Sequence, residues 1–191
     1  MTNRTLTRDD WVAAALSALR KGGPQAIKVE SIAKALDVSK GSFYWHFKNA
    51  SDLRSAMLEH WVAVATTAII DAVEGSPEEP SRTLEELVRV SVANLSGSSR
   101  QAALNQAAIR DWARYDSDVA KVMKTADKMR LNFVTRGFEL AGFKPKESLE
   151  NARILYAALI GMEYLAQHDL AKLDEDLPRF LTKLMQTSGG R

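Results

Sequence analysis

A chain of 191 residues that is 46% hydrophobic and 26% charged has the composition of a folded globular protein, which argues against intrinsic disorder. It contains no cysteine, which excludes disulfides, a thiol nucleophile and a thiolate metal site. The formal net charge is +2, but residues 1–50 carry eight Lys or Arg against four Asp or Glu. This excess of positive charge near the N-terminus indicates a polyanionic partner, and the alternative is a chance fluctuation.

Helical periodicity begins close to the first residue. Thr7 and Asp10 have the spacing of a capping box, and apolar residues then recur at helical intervals until Gly22-Gly23-Pro24 ends the element. Three further helices follow in the first half of the chain: Glu30 to Leu36, Lys40 to about Phe47 with Ser39 as its cap, and a long helix capped by Ser51.

The rest of the chain is predicted to be helical as well. Gly75 to Ser81 is the clearest break, because its two prolines and its glycine cannot continue a helix. Beyond the break, apolar spacing predicts helices near 82–95, 100–114, 117–141, 146–168 and 174–187. No alternating strand pattern appears, so we expect an all-α fold of about nine helices.

The third helix has an unusual concentration of aromatic residues. Three short helices in the first 50 residues, with a short turn between the last two, are typical of a helix-turn-helix. On a helix from Lys40, Phe43 and Phe47 share the inward face and are predicted to be buried. The remaining positions are assigned outward or edge roles: Ser39, Ser42, Trp45 and His46 point away from the core, Lys40 and Tyr44 reach phosphates from its edge, and Gly41 permits close approach to a groove.

The segment from Ile32 to Leu53, IAKALDVSKGSFYWHFKNASDL, closely resembles the DNA-binding signature of the tetracycline-repressor-like (TetR) family of bacterial regulators. The resemblance is dense over about residues 8–58. It implies a helix-turn-helix domain at 1–50 and a helical effector-binding and dimerisation domain at 51–191.

The resemblance also implies roles for individual residues. Ser39, Lys40, Gly41 and Ser42 would approach base edges and backbone, Tyr44, His46 and Lys48 would clamp phosphates, and Trp45 would pack on the DNA backbone. Two positions depart from the family pattern. Lys28 replaces a capping Thr or Ser and is expected to contact phosphate instead, and Ala50 stands where a lysine is more usual. Two alternatives without a DNA contact remain open. His46 is a structural histidine in one, and Trp45 is an interface residue unrelated to DNA in the other.

The helices of the second half carry more apolar surface than one core requires. The helix from 146 to 168 has two apolar stripes, and the last helix repeats the pattern, which predicts a homodimer through a four-helix interface, as the resemblance also implies. The alternative is that both stripes belong to the monomer core. The predicted interface residues are Ile154, Ala158, Leu159, Gly161, Leu165, Phe180, Leu181 and Leu184.

Large side chains between residues 51 and 141 are candidates for lining an effector pocket, although such residues equally often fill a core. They are Trp61, Trp112, Tyr115, Met123 and Phe133. The resemblance implies a small-molecule effector, expected to be largely apolar, whose binding moves the fourth helix and separates two recognition helices from successive DNA grooves.

Other functional classes have little support. The sequence lacks a phosphate-binding glycine loop, an HExxH pair and a GxSxG elbow, so we expect no catalytic centre, cofactor or metal site. No signal peptide or segment of about 18 apolar residues is apparent, so we expect a cytoplasmic protein without a membrane partner. The expected function is a ligand-released repressor that binds a palindromic double-stranded DNA operator. The alternatives are an activator of the same family and a helical binding protein without sequence-specific DNA binding.

Overall fold

The computed structural model describes residues 6–76, 79–95 and 100–186, without the side chains of 100–103. This part of the chain is helical and contains no strand, so the predicted all-α architecture is confirmed. The helices are α1 Arg8–Gly22, α2 Val29–Ala35, α3 Lys40–Phe43, α4 Ala50–Val62, α5 Ala68–Glu74, α6 Thr83–Leu95, α7 Arg100–Trp112, α8 Ser117–Leu140, α9 Pro145–Ala166 and α10 Leu173–Gln186.

One π turn, Ala63–Thr67, joins α4 to α5, so these two form a continuous helix and the described residues contain nine helices, as predicted. By length and composition alone, Ala50–Glu74 could cross a membrane, but the core helix of a soluble protein passes the same test. The predicted helix end at Thr187, and Pro77 and Glu78 of the predicted break, lie outside the described residues.

The helix starts agree with the sequence prediction at α1 and differ at α4. The Thr7 hydroxyl accepts the Asp10 N–H at 3.2 Å and the Asp10 carboxylate accepts the Thr7 N–H at 2.8 Å, which confirms the capping box. The predicted Ser51 cap is wrong, because Asn49 Oδ1 accepts the Asp52 N–H at 3.0 Å and caps α4 two residues earlier in the chain. Asn is as good an N-cap as Ser, so residue type alone could not separate the two.

The described helices divide into two compact units. The first contains the chain up to Ala63 together with Leu104–Met123, and the second contains Val64 to Ala103 and the chain from Lys124 onward. The domain boundary predicted after residue 50 falls inside the first unit, because α4 packs against α1 and buries Leu53 and Met57.

An aromatic cluster forms the core of the first unit. Trp11 and Phe43 are fully buried, with ring centroids 5.4 Å apart in an edge-to-face arrangement, and Phe47 stacks on Phe43 at 5.4 Å. Burying each such side chain stabilises the unit by roughly 1.5–3 kcal/mol. The Arg20 guanidinium also donates a hydrogen bond to Asn105 Oδ1, which ties α1 to α7.

The core of the second unit is built from α6, α8, α9 and α10. Its buried residues include Leu84, Phe138, Leu155 and Leu177. Helices α6 and α8 approach closely at Gly137, where an added Cβ would lie 2.7 Å from Leu84 Cδ2.

A polar network lies beside this core. The Arg130 guanidinium donates to Thr66 Oγ1 at 2.9 Å, to the Ala65 carbonyl at 3.1 Å and to Tyr156 Oη at 3.0 Å. The Tyr156 hydroxyl in turn donates to Asp127 Oδ1 at 2.7 Å. Ala65 and Thr66 belong to the π turn, and Tyr156 lies on α9. Arg130 of α8 therefore connects the π turn to α9 through hydrogen bonds.

Candidate nucleic-acid interface

The turn between α2 and α3 fixes how the third helix is presented. Asp37 adopts a left-handed conformation with φ 55°, which Asp tolerates better than most residues. The Val38 N–H then donates to the Ala33 carbonyl at 3.0 Å and closes the turn. Lys40 begins α3 three residues after Asp37.

The third helix is shorter than predicted. It is α-helical only over Lys40–Phe43, and tighter turns continue it, with the N–H groups of Tyr44 and Trp45 donating to carbonyls three residues earlier. Ser39 is its N-cap residue, but its hydroxyl makes no capping hydrogen bond. The segment ends at Asn49, whose backbone is extended with φ −163°. Asn49 is also the N-cap of α4.

The segment separates a buried side from an exposed side, as predicted. Phe43 and Phe47 are 0% and 2% exposed, so their assignment to the core is confirmed. Trp45 is 88% exposed and Tyr44 59% exposed, which is unusual for such large side chains. Among the other predicted DNA-contacting residues, Lys28, Ser39, Lys40, Gly41 and Lys48 are exposed, while Ser42 and His46 are half-buried.

His46 has a structural contact and is half-buried. Its ring centroid lies 6.4 Å from that of Trp11 in a tilted arrangement. The imidazole therefore lies beside the aromatic core and is half-buried.

Lys40 does not stand alone on this surface. Its ammonium lies 2.5 Å from Glu30 Oε1 in the first turn of α2. The hydrogen bond to Glu30 raises the pKa of Lys40, and the same hydrogen bond is the main cause that lowers the pKa of Glu30. Glu30 was not among the residues predicted from the sequence, because a carboxylate ten positions away gives no pattern until the turn brings the two helices together.

The five candidate pocket residues fall in both units. In the first unit, Trp61, Trp112 and Met123 are buried, while Tyr115 is 88% exposed. The Trp112 indole N–H donates to Asp116 Oδ2 at 3.1 Å, so this side chain has a structural partner.

Phe133 belongs to the second unit and is half-buried. It lines a cavity of about 260 Å³ together with apolar Val73 and Leu140 and the ion pair of Glu74 and Arg136, whose charged atoms are 3.6 Å apart.

The two predicted stripes of α9 have different surroundings. Ala152, Leu155 and Tyr156 are buried, and Leu159 packs beside the same core. On the other stripe, Ile154 is 48% and Leu165 40% exposed, Gly161 is exposed and Ala158 is half-buried.

On α10, Phe180 and Leu184 are partly buried against the core of the second unit. Leu181 is 4% exposed and lies within that core. We therefore remove Leu181 from the predicted interface, because its side chain is already used inside the subunit.

A buried aromatic core beneath an exposed row of basic, aromatic and small polar residues is the arrangement found in helix-turn-helix domains that bind DNA. Residues 12–57 match the family "Bacterial regulatory proteins, tetR family", which confirms the predicted resemblance over this part of the chain.

Similarity to known proteins extends the comparison beyond this domain. The chain is 26% identical over 98 residues to the "Probable acrEF/envCD operon repressor" of Escherichia coli (strain K12), a match that covers 51% of this chain and 44% of that protein. The chain thus matches less than half the length of this curated relative.

Two solved structures share the whole fold. A TetR transcriptional regulator from Legionella pneumophila superposes with TM-score 0.73 at 18% identity, covering 95% of this chain and 98% of that one. A putative transcriptional regulator from Saccharomonospora viridis, solved in complex with choline, gives TM-score 0.73 at 16% identity, covering 94% and 95%. At these identities the similarity establishes the fold.

Proposed function

We propose that this protein is a ligand-responsive transcriptional regulator, a repressor that binds a palindromic operator as a homodimer and is released by a small molecule. The observation that carries the proposal is the exposed row on and after α3, anchored from behind by Phe43 and Phe47. The Trp45 indole is 88% exposed, so its apolar surface is in contact with water in the free protein. Packing this surface against the DNA backbone would remove it from water, which is favourable.

Each outward side chain has chemistry that suits a duplex. Lys28, Lys48 and the Tyr44 hydroxyl donate to phosphate oxygens, as does a ring N–H of half-buried His46. Ser39 and Ser42 are short enough to reach base edges in the major groove, where a hydroxyl can either donate or accept. Phosphate contacts position the protein, and the serines then contribute sequence preference.

Gly41 supports close approach of α3 to another molecule. It lies in a helix, where glycine costs about 1 kcal/mol relative to alanine. Among the described residues, and outside its chain neighbours and its own helix backbone, an added Cβ would meet only Ser39 Oγ within 4 Å, at 3.6 Å, an ordinary contact. No described neighbour therefore requires glycine here, whereas a groove wall pressed against α3 would require it.

Gly41→Ala tests this proposal because it should weaken DNA binding without lowering stability. The free energy of unfolding should stay constant or rise by up to about 1 kcal/mol, while affinity for duplex DNA falls at least tenfold. Unfolding by urea and fluorescence anisotropy with labelled duplex measure the two quantities. Lys21→Ala, an exposed lysine at the end of α1 outside the proposed surface, is the control and should leave both nearly unchanged. Unchanged DNA affinity in Gly41→Ala would contradict close approach at α3.

The proposed dimer uses the exposed stripe of α9. Ile154, Ala158, Gly161 and Leu165 leave an apolar surface that a second copy would cover. Phe180 and Leu184 of α10, together with Leu159, would complete a four-helix interface. A two-fold dimer places its two recognition helices about 34 Å apart, one turn of B-DNA, and so reads a palindrome.

The proposed effector is a small molecule with substantial apolar surface. The cavity beside Phe133 is lined by apolar side chains, by Ser76 and Thr83, and by one ion pair, so it suits an amphipathic molecule better than a highly charged one. Within the first unit, buried Trp61, Trp112 and Met123 remain candidates for a second apolar lining, and exposed Tyr115 is the weakest. Binding releases DNA only if the effector has lower affinity for the DNA-bound state than for the free state. As a regulator of this kind, the protein would act in the cytoplasm and without catalysis.

A further inference from the structure

Glu30 and Lys40 form an ion pair across the helix-turn-helix. Glu30 lies in the first turn of α2 and Lys40 begins α3, and Glu30 Oε1 is 2.5 Å from Lys40 Nζ. Both side chains face solvent, with 65% and 52% of their surfaces exposed. The pair borders a groove of about 430 Å³ between the two helices, which Lys34 and Asp37 also line.

The pair changes the charge that the recognition helix presents. A lysine bound to a carboxylate forms a unit of zero net charge, so the first residue of α3 offers phosphate no net attraction. A glutamate carboxylate is ionised at neutral pH, and the hydrogen bond to Lys40, with a smaller contribution from the charge of Lys28, lowers the pKa of Glu30 further. A phosphate that approached Lys40 would also approach the Glu30 carboxylate, which repels it.

We propose that Glu30 masks Lys40 and thereby removes it from the residues that bind the DNA backbone. This inference rests on the proposed function, since it concerns how the same surface meets DNA. Masking lowers affinity for all duplexes alike, because phosphate contacts carry no sequence information. It therefore leaves more of the discrimination between sequences to Ser39 and Ser42.

The salt dependence of binding measures the number of phosphate contacts directly. Each contact contributes about −0.9 to the slope of log affinity against log salt, which corresponds to roughly a 3.5-fold loss of affinity between 50 and 200 mM salt. A mixed-sequence 20-base-pair duplex is a sufficient probe, because masking acts on binding that is independent of sequence.

A double-mutant cycle tests the masking. We expect E30Q to bind the duplex more tightly at low salt than the wild type, with a slope steeper by about 0.9 for each bound subunit. K40M alone leaves Glu30 without its lysine, so it should bind the duplex more weakly than the wild type without a flatter slope, and the double variant E30Q/K40M should return to the wild-type slope. D37N is the matched control: it removes another carboxylate of the same groove, and Asn tolerates the left-handed backbone at this position. Its effect should be the same with and without K40M.

Three results would overturn the inference. If K40M alone flattened the slope by about 0.9 while E30Q left it unchanged, Lys40 would bind phosphate despite Glu30. If E30Q steepened the slope equally with and without K40M, Glu30 would act as a general negative charge. If the wild type showed no salt-dependent binding to the duplex while remaining folded by circular dichroism, the proposed function would fail and the masking with it.

Discussion

Arg130→Met tests whether the network at the π turn stabilises the second unit. The methionine retains most of the apolar stem but removes three hydrogen bonds, to Thr66, the Ala65 carbonyl and Tyr156. The arginine side chain is 10% exposed, and Thr66 is 1% exposed, so water cannot easily replace the lost donors.

The expected loss follows from these contacts. Removing one partner of a buried charged network costs about 3–5 kcal/mol, and the lower end applies because Asp127, 3.6 Å from the guanidinium, is 28% exposed. A loss of about 3 kcal/mol corresponds to a fall in Tm of roughly 6–12 °C for a chain of this size. Tyr156→Phe, which removes only one hydroxyl, should lose about 1 kcal/mol.

Thermal unfolding followed by circular dichroism at fixed protein concentration gives the comparison. Arg179→Met is the control, because Arg179 is 70% exposed and its pairing with Glu175 is a surface ion pair worth less than about 1 kcal/mol. A Tm for Arg130→Met within 2 °C of the wild type would refute the reasoning, since it would mean that the π turn and α9 do not depend on this arginine.

Two further predictions concern glycines with opposite surroundings. Gly137→Ala should reduce the free energy of unfolding in urea by about 1–3 kcal/mol, because its Cβ would lie 2.7 Å from Leu84 Cδ2; an unchanged stability would show that α6 and α8 adjust freely. The Cβ of Gly161→Ala meets no atom of the described residues within 4 Å, so the fold of this variant should be unaffected. It should nevertheless weaken the dimer in sedimentation, as should the charged variant Leu165→Arg. Dimers of wild-type strength in both variants would place the interface elsewhere.

Local patterns predicted much of the fold. Three correct predictions depend only on residues within a few positions of each other. They are the Thr7 capping box, the break at Gly75 and the inward placement of Phe43 and Phe47, and local sequence patterns indicate each of them. The helix start at Ala50 was mispredicted because Asn49 and Ser51 are both good caps, and the choice between them depends on the geometry of the preceding turn.

Long-range contacts were not predictable from the same patterns. Arg130 reaches Thr66 across 64 positions, and the π turn that it contacts has no sequence signature of its own. Leu181 carries the same apolar spacing as its neighbours, and only packing shows that it belongs inside the subunit. The ion pair of Glu30 and Lys40 likewise requires the left-handed turn at Asp37 before the two charges can meet.

Selection of bound sequences from a random duplex pool tests the central claim most directly. The account predicts enrichment of a palindrome whose half-site centres are separated by whole turns of B-DNA, about 34 Å each, because a two-fold dimer presents two copies of α3. Folded, dimeric protein that enriched no sequence would contradict the account and would indicate a helical binding protein without sequence-specific DNA recognition.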